Sequence, residues 1–324
     1  FVVAVELQFE LTSGELNSAR RATQPAIAAA GGVVVPILIY LAFAAGTSSA
    51  PGWPVPTATD IAFALGVLAV FGRGLPSGLR IFLLALAILD DIVGIVFIAV
   101  LFTSDVNGWM LAAAAVGVVA FGILSRKLDW RGPRGRAPIA AALVVIAIVT
   151  WAFVYVSGVH ATIAGVALGL AMAQHPAMRA RHALEPWVNG FVLPLFALSA
   201  ALVVIPAVPA RELSPAFWGV LVALPIGKLV GIAVAGGIAQ RMLRVPAPVA
   251  LTMGDLLAAG ALGGIGFTVS LLLSELAFVG APGIRDQATL GVLAGSAISL
   301  VLAAMLVSWR AWHHRRTTVQ TRDS

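Results

Sequence analysis

The sequence contains no cysteine, and only 10% of its 324 residues are charged. The absence of cysteine excludes disulfide frameworks, thiolate zinc sites, iron–sulfur clusters and cysteine nucleophiles. Ordinary soluble proteins have about 25% charged and about 45–50% apolar residues, whereas 60% of this sequence is hydrophobic. A chain with so few polar groups cannot cover a globule in water, so the composition predicts an all-α polytopic membrane protein.

Long apolar segments define the predicted membrane spans. A helix rises about 1.5 Å per residue, so roughly 20 apolar residues cross the hydrocarbon core. Ten segments approach or exceed this length, and residues 1–5 are typical of the end of an earlier one. The predicted spans are residues 25–45, 58–72, 81–103, 108–125, 138–156, 157–174, 187–206, 216–240, 249–279 and 288–309. We therefore treat residues 1–324 as a single transporter domain. Because the chain does not begin with methionine, we expect a longer N-terminus.

The basic residues are distributed very unevenly between the two predicted sides of the membrane. Seventeen of the 20 Lys and Arg residues fall in the segments of one side, and only Arg211 and Arg285 fall on the other. Short cytoplasmic segments carry an excess of positive charge. This pattern predicts that the C-terminal basic tail, residues 310–324, is cytoplasmic. It also explains the net charge of +6 without nucleic acid as a partner.

Four charged residues lie inside apolar segments, where a charge at a helix centre costs roughly 2.5–3.5 kcal/mol on insertion scales. They are Asp60, Asp90, Asp91 and Lys228. About nine apolar residues flank the two adjacent aspartates on each side, so neither can reach water from a helix end. Adjacent helical residues differ by about 100° in direction, so one carboxylate can face an aqueous cavity while the other faces a neighbouring helix. Lys228 is the only base at this depth, which predicts an ion pair with one aspartate.

Two segments are irregular. Residues 58–72 are short and follow two prolines, and residues 249–279 are long and rich in glycine. Asp60, at the start of the first, fits two interpretations: an ordinary helix N-cap or the mark of a broken helix. Asp255 and Glu275, in the second, are expected to be interfacial. The two segments share the pattern Ile–small–Phe–x–aliphatic–small, and interrupted spans at corresponding positions of two halves point to a transporter site at mid-membrane.

Several stretches of these segments resemble the NhaA-type sodium/proton antiporters, and the resemblance covers residues 1–310. The sharpest stretches are Ala58-Thr-Asp-Ile-Ala-Phe-Ala-Leu-Gly, Ala87-Ile-Leu-Asp-Asp-Ile, Ser157-Gly-Val-His-Ala-Thr-Ile-Ala-Gly, Leu193-Pro-Leu-Phe-Ala, Ile226-Gly-Lys and Gly264-Ile-Gly-Phe-Thr-Val-Ser. The resemblance implies an NhaA-like fold with inverted repeats and two discontinuous, crossing helices. Inverted repeats occur in several transporter folds, and this family is itself one of the known examples.

The resemblance also implies roles for individual residues. Asp91 corresponds to the ion-binding carboxylate, and Asp90 to its neighbour that pairs with Lys228. Thr59 and Asp60 correspond to the position where the broken helices cross. The breaks themselves are expected at glycines, which in the second broken helix are Gly263, Gly264 and Gly266.

The sequence departs from the family pattern in two ways. The family dimerises through an extramembrane hairpin that precedes the matched region, so a homodimer is expected only where that hairpin is present. The family's pH-responsive cluster contains acidic and histidine residues before a Pro-Trp pair. Here His182 and Glu185 occupy that stretch, with Glu185 where a histidine is expected, and Glu6 and Glu10 could supply further acids. We therefore predict altered pH regulation.

A carboxylate away from water can bind either a proton or a small hard cation, and oxygen ligands suit Na⁺ or Li⁺. The sequence therefore predicts a secondary antiporter that exports cytoplasmic Na⁺ or Li⁺ in exchange for external protons, serving pH and sodium homeostasis. Na⁺ is expected to bind at Asp91 and Asp90. We expect the protein to lie in the bacterial inner membrane and to have neither a cofactor nor enzymatic activity. A sodium-coupled solute symporter or a cation channel is the alternative.

Overall fold

The computed structural model describes residues 1–14, 19–103, 105–130, 133–202, 212–244 and 250–320. The C-terminal end of the predicted span 187–206, the first residue of the span 249–279 and the last four residues of the basic tail lie outside this part. The described residues are 85% helical and contain no strand. The all-α architecture predicted from composition is therefore confirmed.

Fourteen α-helices run along the described residues. Two 3₁₀ turns, Ala50–Gly52 and Val55–Thr57, precede α3, and two π-helical turns, Val188–Val192 and Ala223–Gly227, precede α9 and α11. The α-helices are α1 (Val2–Thr12), α2 (Ala19–Ala44), α3 (Ile61–Phe71), α4 (Ser77–Leu101), α5 (Gly108–Trp130), α6 (Pro133–Val156), α7 (Thr162–Ala171), α8 (Gln174–Trp187), α9 (Leu193–Ala201), α10 (Pro215–Val222), α11 (Lys228–Leu243), α12 (Met253–Gly263), α13 (Phe267–Ala277) and α14 (Pro282–Gln320).

The described residues contain eight helical segments long and apolar enough to cross a membrane, and a bent pair of helices makes a ninth. These nine coincide with nine of the ten predicted spans. The predicted span 157–174 is shorter in the structure, where α7 has only ten residues. At about 1.5 Å per residue, such a helix covers about half of the hydrocarbon core. The protein is thus a multi-pass membrane protein.

The chain divides into two compact units, of which the first comprises Phe1–Asn17 and Ile95–Val192. In this unit α1 packs against α7 and α8, and α5 packs against α6. Val5, Phe121 and Leu168 belong to its buried apolar core. The side-chain amide of Gln8 donates hydrogen bonds of 2.8 and 2.9 Å to the carbonyl oxygens of Leu170 and Met172, which satisfies backbone groups at the end of α7.

The second unit comprises Ser18–Gly94 and Leu193–Ser324. Its most extensive packing is between α2 and α11, and α12 packs against both α11 and α14. The backbones of α2 and α11 approach closely, since a Cβ atom at Gly231 would lie only 2.2 Å from the carbonyl oxygen of Gly31. Just before α11, Ala223–Gly227 forms a π-helical turn that contains Pro225. This turn leads directly into Lys228.

Two membrane-spanning segments of the second unit are interrupted. In the first, Ala50–Phe71, the backbone is extended from Ala58 to Asp60 before α3 begins. In the second, α12 and α13 are separated by Gly264–Gly266 and bent by 49°. The two irregular segments predicted from sequence are therefore the two interrupted ones.

Candidate functional site

The two helix interruptions contact each other through hydrogen bonds. The backbone N–H of Asp60 donates to the carbonyl oxygen of Ile265 at 2.6 Å. The hydroxyl of Thr59 lies 2.8 Å from the carbonyl oxygen of Gly263, the last residue of α12. Helix ends leave backbone groups without intrahelical partners. Each interruption therefore satisfies part of the other's exposed backbone, away from water.

Lys228 and Asp90 form an ion pair beside these interruptions. The ammonium group of Lys228 donates to Asp90 Oδ2 at 2.5 Å, and both side chains have no solvent exposure. Lys228 also donates to the Thr59 hydroxyl at 3.2 Å, and that hydroxyl lies 2.7 Å from Asp90 Oδ2. A hydroxyl has only one proton to donate. Thr59 can therefore donate fully to Asp90 or to the Gly263 carbonyl oxygen, but not to both at once.

Asp60 serves as an N-cap and also joins the two interruptions, so both interpretations of this residue apply. Its Oδ1 accepts from the backbone N–H of Phe63 at 3.3 Å, which caps α3. Its Oδ2 accepts from the backbone N–H and the hydroxyl of Thr268, at 3.2 and 2.6 Å. Thr268 lies in the first turn of α13. The carboxylate thus lies at the N-termini of two half-helices, where the helix dipoles favour negative charge.

Asp91 follows Asp90 on α4 and points about 100° away from it around the helix axis. Both aspartates are buried, with 9% of Asp91 and 1% of Asp90 exposed. The hydrogen bonds to Lys228 and Thr59 are made by Asp90. The other oxygen of Asp90, Oδ1, is buried and has no hydrogen-bond partner in the described part of the chain. Asp90 is thus an acid that contacts Lys228 and Thr59 through one carboxylate oxygen.

The three glycines predicted at the second break lie where the chain is closely packed. A Cβ atom at Gly264 would lie 2.8 Å from the carbonyl oxygen of Leu224, and one at Gly266 would lie 3.1 Å from that of Ala58. At Gly263 the nearest atom would be the end of the Ile232 side chain, at 2.6 Å. Glycine is needed at these positions because neighbouring atoms approach closely, not because φ is positive.

The residues predicted to respond to pH lie in the first unit, around Arg181. Arg181 Nη2 is 3.0 Å from a carboxylate oxygen of Glu6 and 3.8 Å from one of Glu185. Burial raises the pKa of Glu6, the Arg181 guanidinium opposes this shift, and the negative charges of Glu185 and Glu10 add to it. Their regulatory role stays a prediction.

Glu10 and His182 complete that predicted set. Glu10 is buried, with 8% exposure. His182 Nδ1 lies 2.7 Å from the carbonyl oxygen of Met178, one turn earlier on its own helix. This hydrogen bond orients the imidazole ring along α8.

Two groups of contacts go beyond what the sequence predicted. Thr268 belongs to the motif Gly264-Ile-Gly-Phe-Thr-Val-Ser, and in the structure it is the partner of Asp60. Asp255, which the sequence predicts to be interfacial, lies in the first turn of α12, is buried with 1% exposure and pairs with Arg310 at 3.0 Å. Arg310 is the first residue of the predicted basic tail, and α14 continues through it to Gln320. The signal that could have indicated this pair is the motif Thr-x-x-Asp, a capping box at the start of α12.

Together, the fold and the site define a class of protein. It is a multi-pass α-helical membrane protein in which an Asp–Lys ion pair is buried where two interrupted helices meet, the arrangement expected of a secondary ion transporter. A sequence model of the family described as Na⁺/H⁺ antiporter 1 matches residues 1–307. The chain belongs to this family.

Curated relatives match almost the whole chain. A protein named Na(+)/H(+) antiporter NhaA 2 from Clavibacter michiganensis subsp. michiganensis is 55% identical over 324 residues, which are 100% of this chain and 79% of that protein. Proteins named Na(+)/H(+) antiporter NhaA from Tropheryma whipplei and Thermobifida fusca are 48% and 43% identical, over 95% and 98% of this chain and 78% and 79% of theirs. These matches do not support the alternative of a symporter or channel.

Proposed function

We propose that this protein exchanges Na⁺ or Li⁺ for protons across the bacterial inner membrane, with its C-terminus in the cytoplasm. Asp91 is the proposed cation ligand, assisted by Asp90 or Thr59. The observation that carries the proposal is the fully buried Lys228–Asp90 ion pair at the contact of the two helix interruptions.

The charges of the site support exchange of one cation for another. Lys228 balances the charge of Asp90, to which it is hydrogen-bonded. Asp60 is stabilised by two helix N-termini. Asp91 is a further buried acid, and burial of a carboxylate requires compensation of its charge. A proton and a small cation both meet this requirement, so each displaces the other.

The ligand chemistry supports a hard monovalent cation. The groups gathered at the interruptions are carboxylate, hydroxyl and backbone carbonyl oxygens, and such ligands favour hard cations over soft ones. The family resemblance implies that protons outnumber sodium ions in the exchange. A second titrating carboxyl group is then needed, and Asp90 is the proposed one. The inward proton gradient drives sodium export.

Transport by purified protein in vesicles tests the proposal. Proteoliposomes with an acidic interior and an enclosed pH-sensitive dye receive external NaCl in the absence of any organic solute. We expect wild-type protein to release internal protons on NaCl addition and Asp91→Asn to release none. Asp129→Asn is the matched control, since Asp129 is partly exposed and paired with Arg179. Full exchange by the Asp91 variant would refute the proposed ligand, and proton movement only with an added solute would indicate a symporter.

A further inference from the structure

A cavity of about 320 Å³ lies between α11 and α12, apart from the interruptions and the buried ion pair. Its lining is mainly apolar, with Val234, Ile238, Leu251, Met253 and Leu256 among the residues that form it. Two of the lining residues are polar, namely Gln240 and Arg241, near the end of α11. The volume is at the lower end of the range of ligand sites in proteins, about 300–1,000 Å³.

Gln240 presents a hydrogen-bond donor that the described residues do not use. Its Nε2 atom is buried and has no hydrogen-bond partner among the described residues. A buried donor without a partner is costly on a membrane-spanning helix, because the buried atom cannot reach water instead. The segment Pro215–Leu243 has the length and hydropathy of such a helix. The amide therefore requires an acceptor from outside the described chain.

Arg241 supplies positive charge at the same end of the cavity. Its side chain is exposed, and the described part of the chain offers it no ion pair or hydrogen bond. The residues that line the cavity include no aspartate or glutamate. An acceptor that satisfies both an amide N–H and a guanidinium is an anion with several oxygens, such as a phosphate group.

The apolar part of the surface indicates how that phosphate is carried. Val234 and Ile238 are 52% and 48% exposed, and Met253 is 51% exposed. Exposed apolar side chains on a membrane-spanning segment contact acyl chains, and a cation near the end of such a segment lies at headgroup depth. We propose that this cavity binds the phosphate group of an anionic phospholipid, with an acyl chain along the exposed face of α11.

The test uses the full chain in a non-ionic detergent and measures binding of dioleoyl phosphatidylglycerol by native mass spectrometry, with dioleoyl phosphatidylcholine as the neutral lipid. We expect preferential binding of phosphatidylglycerol. Arg241→Ala should weaken its apparent affinity roughly tenfold, since hydrogen bonds to charged groups are the stronger kind. Gln240→Leu should weaken it less, and unchanged affinity in both variants would overturn the proposal.

A matched control is available at the end of the same helix. Arg244 is exposed, does not line the cavity and has a left-handed backbone conformation with φ of 48°. Asparagine tolerates that conformation, so Arg244→Asn removes an equal charge without strain. We expect this variant to bind phosphatidylglycerol within about twofold of wild type. An equal loss in the Arg244 and Arg241 variants would assign binding to general surface charge and overturn the site.

A second variant removes the cavity and retains its charge. A Cβ atom at Gly237 would lie 3.2 Å from the flexible end of Met253 and 3.9 Å from Leu256, so a side chain there extends into the cavity without meeting backbone. Gly237→Leu should weaken phosphatidylglycerol binding as Arg241→Ala does, with an unchanged melting temperature. Inorganic phosphate is the competing source. If it displaces the lipid at the lipid's own apparent affinity, the site binds free anions and the lipid assignment is wrong.

Discussion

The ammonium group of Lys228 lies 2.5 Å from Asp90 Oδ2, and neither side chain is exposed to solvent. Taking both charges out of water is costly, and the pair is tolerated because each group offsets the other and Thr59 adds hydrogen bonds to both. The pair joins α4 to α11 next to the contact between the two helix interruptions. Its stability therefore affects the position of both interruptions.

Removal of one member of this pair is expected to destabilise the protein more than removal of both. Lys228→Met leaves Asp90 as a buried acid without its counter-ion, and breaking a buried pair costs about 3–5 kcal/mol. The double variant with Asp90→Asn has no uncompensated charge and should recover most of this loss. Thermal unfolding of the purified variants in detergent measures both effects. A double variant no more stable than Lys228→Met contradicts the interpretation of this contact as a charge pair.

Thr59 is expected to matter through its hydroxyl group rather than its shape. Thr59→Val keeps the volume but removes the hydroxyl that contacts Asp90, Lys228 and the Gly263 carbonyl oxygen, and loss of one such polar contact is worth about 1–3 kcal/mol. We expect sodium/proton exchange in vesicles to fall by about tenfold or more. Thr59→Ser retains the hydroxyl and should recover much of the activity. Equal activity of the valine and serine variants would exclude a role for the hydroxyl.

Alanine substitutions at the glycines of the second interruption should reduce stability to an extent that depends on which neighbouring atom the added Cβ contacts. At Gly264 an added Cβ meets backbone, the carbonyl oxygen of Leu224, which cannot move independently of its helix. Overpacking of this kind costs typically about 1–3 kcal/mol. At Gly263 it meets the end of Ile232, which can change rotamer.

The expected order of melting temperatures is therefore wild type, then Gly263→Ala, then Gly264→Ala. Gly280→Ala is the control, because no atom lies within 4 Å of a Cβ atom there. The order is measured by thermal unfolding in the same detergent. A Gly264 variant as stable as the Gly280 variant would contradict the close packing of the interruption.

The raised pKa of Glu6 predicts a particular pH dependence of stability. Burial is the largest cause, and it places the pKa of Glu6 in the folded protein above its ordinary value of 4.5. Between those two pKa values the folded protein keeps a proton that the unfolded chain releases, so stability falls as pH rises through this window. The melting temperature of wild type relative to Glu6→Gln should therefore decrease across the window and be constant above it.

Arg181 provides the control for this prediction, because its guanidinium opposes the rise of the Glu6 pKa. In the background of Arg181→Gln the pKa of Glu6 rises further, and the decrease should extend to higher pH. The measurement is the melting temperature of wild type, Glu6→Gln, Arg181→Gln and the double variant over a series of buffers of increasing pH. A difference between wild type and Glu6→Gln that increases with pH would show that the ion pair with Arg181 outweighs burial.

Much of the charge arrangement could be predicted because a membrane restricts where charges can lie. Lys228 is the only base among the mid-membrane residues, so its pairing with an adjacent aspartate followed from the cost of an uncompensated charge. The two interrupted segments were indicated by prolines and by glycines around residue 264. Neutral side chains carry no such penalty. The pairing of Thr268 with Asp60 could therefore not be predicted from the spacing of residues in the sequence.

The sequence by itself determined the class of protein, its helices and the set of charges that must find partners, because hydrophobic length and desolvation act on each segment separately. The tertiary structure decided which partners they find: Thr268 for Asp60, Arg310 for Asp255, and, as the family resemblance implies, Asp90 for Lys228. Such choices depend on small differences in distance between helices far apart in the chain. Only the packing of those helices sets these distances.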